Sequence, residues 1–350
     1  MTESEKLIPA ENIKKFVKKI LFKVGVRDDV LCNVAEGLIQ ASLRGIDSHG
    51  IRLLPHYVKG VEAGRINPNP DFSFEKTSIS TGKFDGDHTF GHAAGVEGMN
   101  KAIGLAKEVG TGHVSVYNSS HFGVAAFFAL LAAKQDMIGM SFTNATPHVL
   151  TTGSNRAFFG NNPVCFVAPC EGEEPFCLDM ATSTITFNKV LQHKEANIPI
   201  PPNSVADANG NPTTDPESAK YLLPIGDYKG YGLSMMVDIL CSLLSGMPGG
   251  DNVSEMYSEN IGAKRYLGHF FVAMRIDCFE EISVFKKRMV EMVRALRSEP
   301  RREKDIPVQV PADPEKKIAK IRMNEGIPIS RQLLDKFGQI SKEYNVAFNI

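Results

Sequence analysis

The chain has 350 residues, 43% of them hydrophobic and 23% charged, a globular composition long enough for two or three packed units rather than a disordered chain. Its 39 Lys and Arg nearly balance 40 Asp and Glu, a formal net charge of -1, so no global basic field attracts nucleic acid or an anionic membrane. The partner expected is a small molecule. The longest apolar run, Val124 to Ala133, is far too short to span a bilayer, and MTESEKLIPAENIKK lacks the apolar core of a signal peptide, so the expected location is the cytoplasm. Six scattered cysteines without a Cys-x-x-Cys pair read as reduced, buried small hydrophobes.

In chain order, apolar residues recur at helical spacing over Ile13 to Val24, Val30 to Leu43 and Leu53 to Val61, and Pro68 and Pro70 end that block. Short alternating runs follow from Phe72 to Phe84, then a small-residue helix from Ala93 to Val109 and a strand from His113 to Tyr117. That strand leads into Asn118-Ser119-Ser120-His121-Phe122-Gly123. An apolar helix, Val124 to Lys134, and a strand, Met137 to Thr143, precede a loop-rich stretch through Gly160-Asn-Asn-Pro163. Strands are expected at Val164 to Ala168 and Phe176 to Leu178, the second opening through Asp179 into a helix at Thr182 and Ser183.

Residues 196–227, rich in Pro, Gly, Asn and Asp, read as a long ordered surface loop. Gly230 to Leu244 is apolar on nearly every side and is expected to be buried. A strand, Gly268 to Ile276, a helix, Glu280 to Arg297, a charged connection ending in PADPE and a helix, Ser330 to Tyr344, complete the chain. Alternation in the middle with helices at both ends predicts an α/β core with a helical unit built from both termini. The expected units are a helical 1–75 packed with 300–350, an α/β domain over 76–227 carrying the polar turns, and 228–299 completing the core.

Three polar clusters exceed what packing requires. In Asp47-Ser48-His49-Gly50-Ile51-Arg52, Asp47 or Ser48 suits a helix cap, and His49 with Arg52 suits a carboxylate. In the strand-to-helix turn, His121 suits a proton shuttle at neutral pH, although a lone histidine is more often structural. In Asp227-Tyr228-Lys229-Gly230, a lysine at a helix start opposes the macrodipole and so answers an anion or belongs to the preceding loop. There is no P-loop and no G-x-G-x-x-G after a strand, since Gly110-Thr111-Gly112 precedes one, which disfavours a Rossmann turn. His88 and His92 lack a third metal ligand, so no metal is expected.

LRGIDSHG, FDGDHTFGH, NSSHFG, FGNNP, DMATS with Lys189, NGNPTTDP and DYKGYGLSMMVDIL, in this order, resemble the type-2 malate/L-lactate dehydrogenase family over nearly the whole chain. The resemblance implies NAD or NADP as cofactor, a homodimer, a non-Rossmann dinucleotide-binding fold with a mixed β-sheet core, and hydride transfer between the nicotinamide and a small 2-oxo/2-hydroxy acid pair of malate/oxaloacetate or lactate/pyruvate type. It implies that His121 is the acid/base, with Ser48 and His49 in the catalytic group, Tyr57 and Arg52 binding substrate, and Asp179, Met180, Ala181, Asn162 and Lys229 at the cofactor.

The chain departs from the family pattern at several positions. Arg52 stands one residue before the usual arginine, whose place Leu53 takes, a rotation of about 100° along a helix. Ser204 replaces a tryptophan, Asn188 a glycine, and Ala312-Asp313 part of a Pro-Gly-Glu-like turn. These differences keep open a cyclic 2-imino acid reductase and a catalytically weak dinucleotide-binding homologue.

Overall fold

The computed structural model describes residues 5–348. Its central sheet has seven strands in the order Ser73–Lys76, Thr81–Asp85, Thr111–Ser119, Leu267–Arg275, Met137–Thr143, Val164–Ala168 and Phe176–Met180. Only Thr81–Asp85 against Thr111–Ser119 is parallel; every other neighbouring pair is antiparallel. The sheet is therefore mixed. Its one parallel pair is joined by the helix Gly91–Val109, a single crossover unit.

That helix and Ala126–Ala133 cover one face, burying Met99, Ala102, Phe128 and Ala129 against Val114, Val116, Val167 and Phe271. Small residues allow the close approach: a Cβ on Gly112 would stand 2.0 Å from the Ala102 carbonyl oxygen. This explains why the helix sequence is rich in alanine and glycine. Leu267–Arg275, which comes last in sequence, runs through the middle of the sheet between two earlier strands, so the fold closes only when residues beyond 265 arrive.

The helices Ala10–Lys23, Asp28–Leu43, Leu54–Glu62 and Arg331–Glu343 share a second core built on Phe16, Ile20, Leu38, Leu54 and Phe337. Lys6–Ile8 pairs antiparallel with Ile327–Ile329, which ties the two ends of the chain together. The backbone of this pairing approaches so closely at Gly326, φ 107°, that a Cβ there would meet the Ile8 main chain at 2.9 Å.

Cys32 and Cys278 are exposed rather than buried, and four expectations about the elements need correction. Thr182 and Ser183 do not start a helix, because their backbone groups are already committed: Thr182 N–H donates to Asn161 O, its carbonyl accepts from Ile225 N–H, and Ser183 bridges Pro224. The helix begins at Phe187, with Thr186 as its cap. The stretch 196–227 is not loop alone; Val205–Ala206, Pro212–Thr213 and Tyr221–Leu222 join Val149–Leu150 and Ala157–Phe159 in a small sheet over Ile185, Val190 and Ile200. The charged connection hides a helix, Asp313–Glu325, which the proline of PADPE starts rather than blocks because proline suits the first turn. Ala312, which precedes it, sits at φ 72°, a conformation that costs a residue with a Cβ about 1–2 kcal/mol.

The fourth correction concerns Gly230 to Leu244, expected to be buried. It forms Tyr228–Asp238 and a π-helical turn, Ile239–Leu243, with Val237 and Cys241 against the sheet. Its other side is open, with Met235 50% and Leu243 70% exposed and Tyr228, Ile239 and Leu244 beside them. Apolar residues all round a helix signal burial, but the covering surface is not supplied by the described residues.

Candidate active site

The turn after Thr111–Ser119 is fixed on three sides. Gly91, at the start of the crossover helix, approaches so closely that a Cβ would lie 2.3 Å from Ser120 O. Gly123, φ 80°, leaves no room for a Cβ against His92 Nε2, at 2.5 Å. Phe122 is buried between His269, ring centroids 4.7 Å apart, and Phe128, at 4.8 Å. His269 bridges Thr143 Oγ1 and Ser119 Oγ, each 2.8 Å from a ring nitrogen, and so links the turn to two more strands. With Phe122 directed into the core, His121 is left half-buried.

The second piece arrives from the helical unit. Asp47–His49 and Ile51–Leu53 are short 3₁₀ turns joined at Gly50, where a Cβ would clash with Ser42 Oγ at 2.1 Å. Neither Asp47 nor Ser48 caps the following helix. Asp47 instead accepts two hydrogen bonds from Arg322, at 2.7 and 3.0 Å, anchoring the turn to Asp313–Glu325. Ser48 Oγ lies 2.8 Å from His49 Nδ1, and the His49 ring stacks on His121 at 5.4 Å. Tyr57, fully buried one turn into Leu54–Glu62, places its hydroxyl 2.8 Å from His121 Nδ1.

Ser48, His49, Tyr57 and His121 are thus one constellation, and His121 Nε2 has no hydrogen-bond partner among the described residues. Crowding by protein pushes the His121 pKa well below its ordinary value, helped by His49, His92 and Arg265 nearby. His49 is lowered to about 4 by burial and by Arg52. Burial raises the Tyr57 phenol well above its normal range, so it remains a phenol. The Tyr57–His121 hydrogen bond admits either tautomer, and the one in which Nδ1–H donates to the phenol oxygen has its lone pair on Nε2. That nitrogen is the one left to face a ligand.

Arg52 is exposed beside this constellation, with Nη1 3.3 Å from Asn188 Oδ1, while Leu53 is buried in the helical core. The one-residue offset therefore has a local partner: the asparagine that replaces a glycine is the one that Arg52 reaches. A groove of about 1160 Å³ lined by Arg52, His56, Lys59, Tyr257 and Arg322 borders the constellation without including His121.

The expected cofactor residues lie on another side of the His121 turn. Asp179 Oδ2 accepts from Ala126 N–H at 2.7 Å, joining the end of Phe176–Met180 to the first turn of Ala126–Ala133. Surrounding protein pushes its pKa up to about 6, with Glu315 adding to the rise and the Ala126 hydrogen bond opposing it. The residue is nonetheless open to solvent, so the effect of crowding is partly relieved by water.

Met180 and Ala181 are half-buried. Lys229 is exposed over the Tyr228 ring, 5.9 Å from its centroid. Asn162 is placed differently: it is fully buried, accepting from Ala145 N–H at 3.0 Å and donating to Ser234 O at 2.9 Å, so it braces the loop at Ala145 against the helix Tyr228–Asp238 and has no access to a ligand. Ser204 is also buried, its carbonyl accepting from Leu223 N–H in the small sheet.

Sequence reasoning missed two buried groups at this site. His92 lies edge-on to Tyr57 at 5.7 Å with neither ring nitrogen hydrogen-bonded. Arg265, just before the central strand Leu267–Arg275, is also buried. Both lie far in sequence from Asp47–Arg52, and no spacing rule brings them there.

Comparison with known proteins agrees with this architecture. The family model described as malate/L-lactate dehydrogenase matches residues 8–337. Malate dehydrogenase of Pyrococcus abyssi is 35% identical over 349 residues, 97% of this chain and 95% of that protein. Ureidoglycolate dehydrogenase (NAD(+)) of Escherichia coli K12 is 34% identical, covering 83% of this chain and 82% of that one. The solved structure of sulfolactate dehydrogenase from Methanocaldococcus jannaschii superposes with a TM-score of 0.92 at 32% identity, covering 98% of each chain.

Proposed function

The chain belongs to the malate/L-lactate dehydrogenase family, and on that premise we propose that it interconverts a small 2-oxo acid and its 2-hydroxy acid, with His121 as the group that moves the proton. The observation carrying this reading is the Tyr57–His121 pair, which binds Nδ1 and leaves Nε2 free. In alcohol oxidation, neutral His121 takes the hydroxyl proton at Nε2 while Nδ1–H donates to Tyr57. In the reverse direction the imidazolium gives that proton to the 2-oxo oxygen. An anionic substrate beside the ring favours the imidazolium and so opposes the depression of its pKa.

Relatives named as NAD(+)- and NADP(+)-dependent dehydrogenases indicate the cofactor, which supplies or accepts the hydride when bound. The residues here fit such a group in their donor chemistry. Met180 and Ala181, half-buried at the strand end, form an edge bonded through Thr182 and Thr184 to residues 223–225, four residues before Lys229. Lys229 has no carboxylate partner among the described residues and suits a phosphate. Asp179 holds this edge against the helix that follows His121, which sets the spacing between cofactor and acid/base. We assign the dinucleotide to this mixed sheet, a non-Rossmann arrangement supported by its largely antiparallel order.

The test is oxidation of NADH and NADPH with oxaloacetate, sulfopyruvate, pyruvate, oxalurate and piperideine-2-carboxylate. Turnover of at least one open-chain 2-oxo acid is expected. Turnover of the cyclic imine alone would replace this reading with imino acid reduction, and tight NADH binding without any turnover would make the chain a silent homologue.

The open apolar side of Tyr228–Leu243 supports a homodimer as the working form. Tyr228, Met235, Ile239 and Leu243 recur at helical spacing, and a monomer rarely leaves such a stripe to water. Light scattering should give twice the chain mass for the wild type and the chain mass for Ile239→Glu with Leu243→Glu. A monomeric wild type at micromolar concentration removes the proposal.

A further inference from the structure

Two arginines are nearly removed from solvent, Arg65 at 2% and Arg265 at 4% exposure, and they differ in what they bind. Arg65 donates to the carbonyl oxygens of Met256, Ala263 and Asn260, at 2.6, 3.0 and 3.1 Å, and to Ser258 Oγ at 3.0 Å. All three of its guanidinium nitrogens are hydrogen-bonded, and its task is to hold the loop 256–263. Arg265, at the end of that loop, has only two neutral acceptors, Ser254 Oγ at 3.0 Å from Nε and Thr146 Oγ1 at 3.2 Å from Nη2. Its Nη1 makes no hydrogen bond and no carboxylate lies within ion-pair reach among the described residues, nor is Nη1 among the sealed polar atoms that lack a partner.

Glu255 acts on it only from beyond ion-pair distance, and a guanidinium in the interior without a direct partner is costly, since arginine cannot escape the cost by losing its proton in the working pH range. Burial pulls the Arg265 pKa down only to about 10, so the charge persists at neutral pH. The next residue, Tyr266, adopts φ 48°, a left-handed conformation uncommon for an aromatic residue, and the chain holds it while directing Arg265 inward. The guanidinium lies close enough to Tyr57, His121, His56 and Tyr257 to shift the proton affinity of each. Arg52 acts on His49, and both arginines act on Tyr257. The stacked His49–His121 pair therefore has an exposed cation near His49 and a buried cation with a spare donor nitrogen near His121.

We propose that Arg265 is the anchor for the carboxylate next to the reacting carbon of the 2-oxo acid, and that Arg52 faces a second, distal acidic group, so the preferred substrates are 2-oxo acids with two anionic ends. This rests on the 2-oxo acid reading above. The guanidinium fork matches a carboxylate, and Nη1 is the donor left for it. A carboxylate so held neutralises the buried charge and directs the adjacent carbonyl to His121. The exposed Arg52, loosely bound to Asn188, is free to meet a group at the mouth of the cleft.

The test uses oxalate, a two-carbon dianion that mimics the carboxylate and carbonyl end, titrated calorimetrically into the full-length protein saturated with whichever nicotinamide cofactor it binds. Arg265→Gln should weaken oxalate binding on the order of 100-fold, as expected for loss of a buried charged partner, and leave the cofactor affinity unchanged. Arg265→Lys, which keeps the charge but not the fork, should restore part of that loss. Arg52→Gln should leave oxalate binding near wild type while raising KM for oxaloacetate more than for pyruvate.

Wild-type oxalate affinity in folded Arg265→Gln would overturn the anchor, as would wild-type affinity in Arg265→Lys if the glutamine variant does not fold. Cofactor binding that falls in parallel with oxalate binding would show a structural role and overturn it as well. If the wild type binds oxalate through Arg265 but turns over no 2-oxo acid, the anchor stands and the functional reading fails. If 2-oxo acids turn over equally well in Arg265→Gln, the functional reading stands and the anchor fails.

Discussion

Replacing His121 with alanine is expected to lower kcat for 2-oxo acid reduction by roughly 1,000-fold, within the range that a positioned acid/base supplies, while cofactor affinity stays at the wild-type value. The imidazole is the one titratable side chain of the constellation that is held at Nδ1 by Tyr57 while Nε2 remains open. Of its neighbours, His92 is sealed behind Tyr57, while His49, with Nδ1 at Ser48 Oγ, lacks the hydrogen bond to Tyr57 that orients His121. The fold should tolerate the change, since Phe122 rather than His121 fills the core at this turn.

The pH profile gives a second reading of the same group. Because the His121 pKa is depressed, the base needed for hydroxy acid oxidation is already neutral at pH 6.5, and the acid limb of kcat/KM should lie below that value. Turnover within tenfold of wild type in a folded His121→Ala, or an acid limb above pH 6.5, removes His121 from this role.

The protein should lose several kcal/mol of stability between pH 7.5 and pH 5. His92 and His269 are fully buried and lowered by burial to about 3, against 6.5 for an exposed imidazole. The native state keeps both neutral, whereas the unfolded chain protonates them as pH falls through 6.5. Their contribution is complete above pH 6.5 and declines until the native groups themselves titrate near pH 3. At pH 5 that is about 2 kcal/mol for each, from about 1.4 kcal/mol per pH unit, a large share of the typical 5–15 kcal/mol.

Asp179 works in the opposite direction, since its raised pKa lets the native state bind a proton first between about pH 6 and 4. One carboxylate offsets one imidazole, and His49 lies on the same side as the buried pair. Denaturant midpoints at fixed protein concentration should fall steeply from pH 7.5 to pH 5, and less steeply in His92→Asn. Equal midpoints across that range would refute the assignment of neutral buried imidazoles.

The contrast between legible and hidden parts of the site follows from what local physics records. The turn bearing His121 was readable because a strand pattern, a run of polar residues, a glycine and an apolar helix are consecutive in sequence. The same holds for Asp47 to Arg52 between two helical periodicities. Arg65 and Arg265 carry no such mark, because an arginine in a loop looks solvated until the loop folds inward. The helix Asp313–Glu325 escaped because a proline and several charges suggest a connection, although both suit a helix start that packs little apolar surface.

The sequence by itself determined the alternation of strands and helices, the terminal helical unit's apolar faces and the residue types able to move a proton or hold an anion, because these depend on periodicity and short-range chemistry. Only the tertiary structure decided that the strand Leu267–Arg275 lies mid-sheet, that Asn162 is a brace, that the helix bearing Lys229 keeps an uncovered apolar side, and that Arg265 is buried within electrostatic reach of His121. Each of those depends on contacts between residues more than 70 positions apart or on the absence of a covering surface, and neither leaves a periodic trace in the chain.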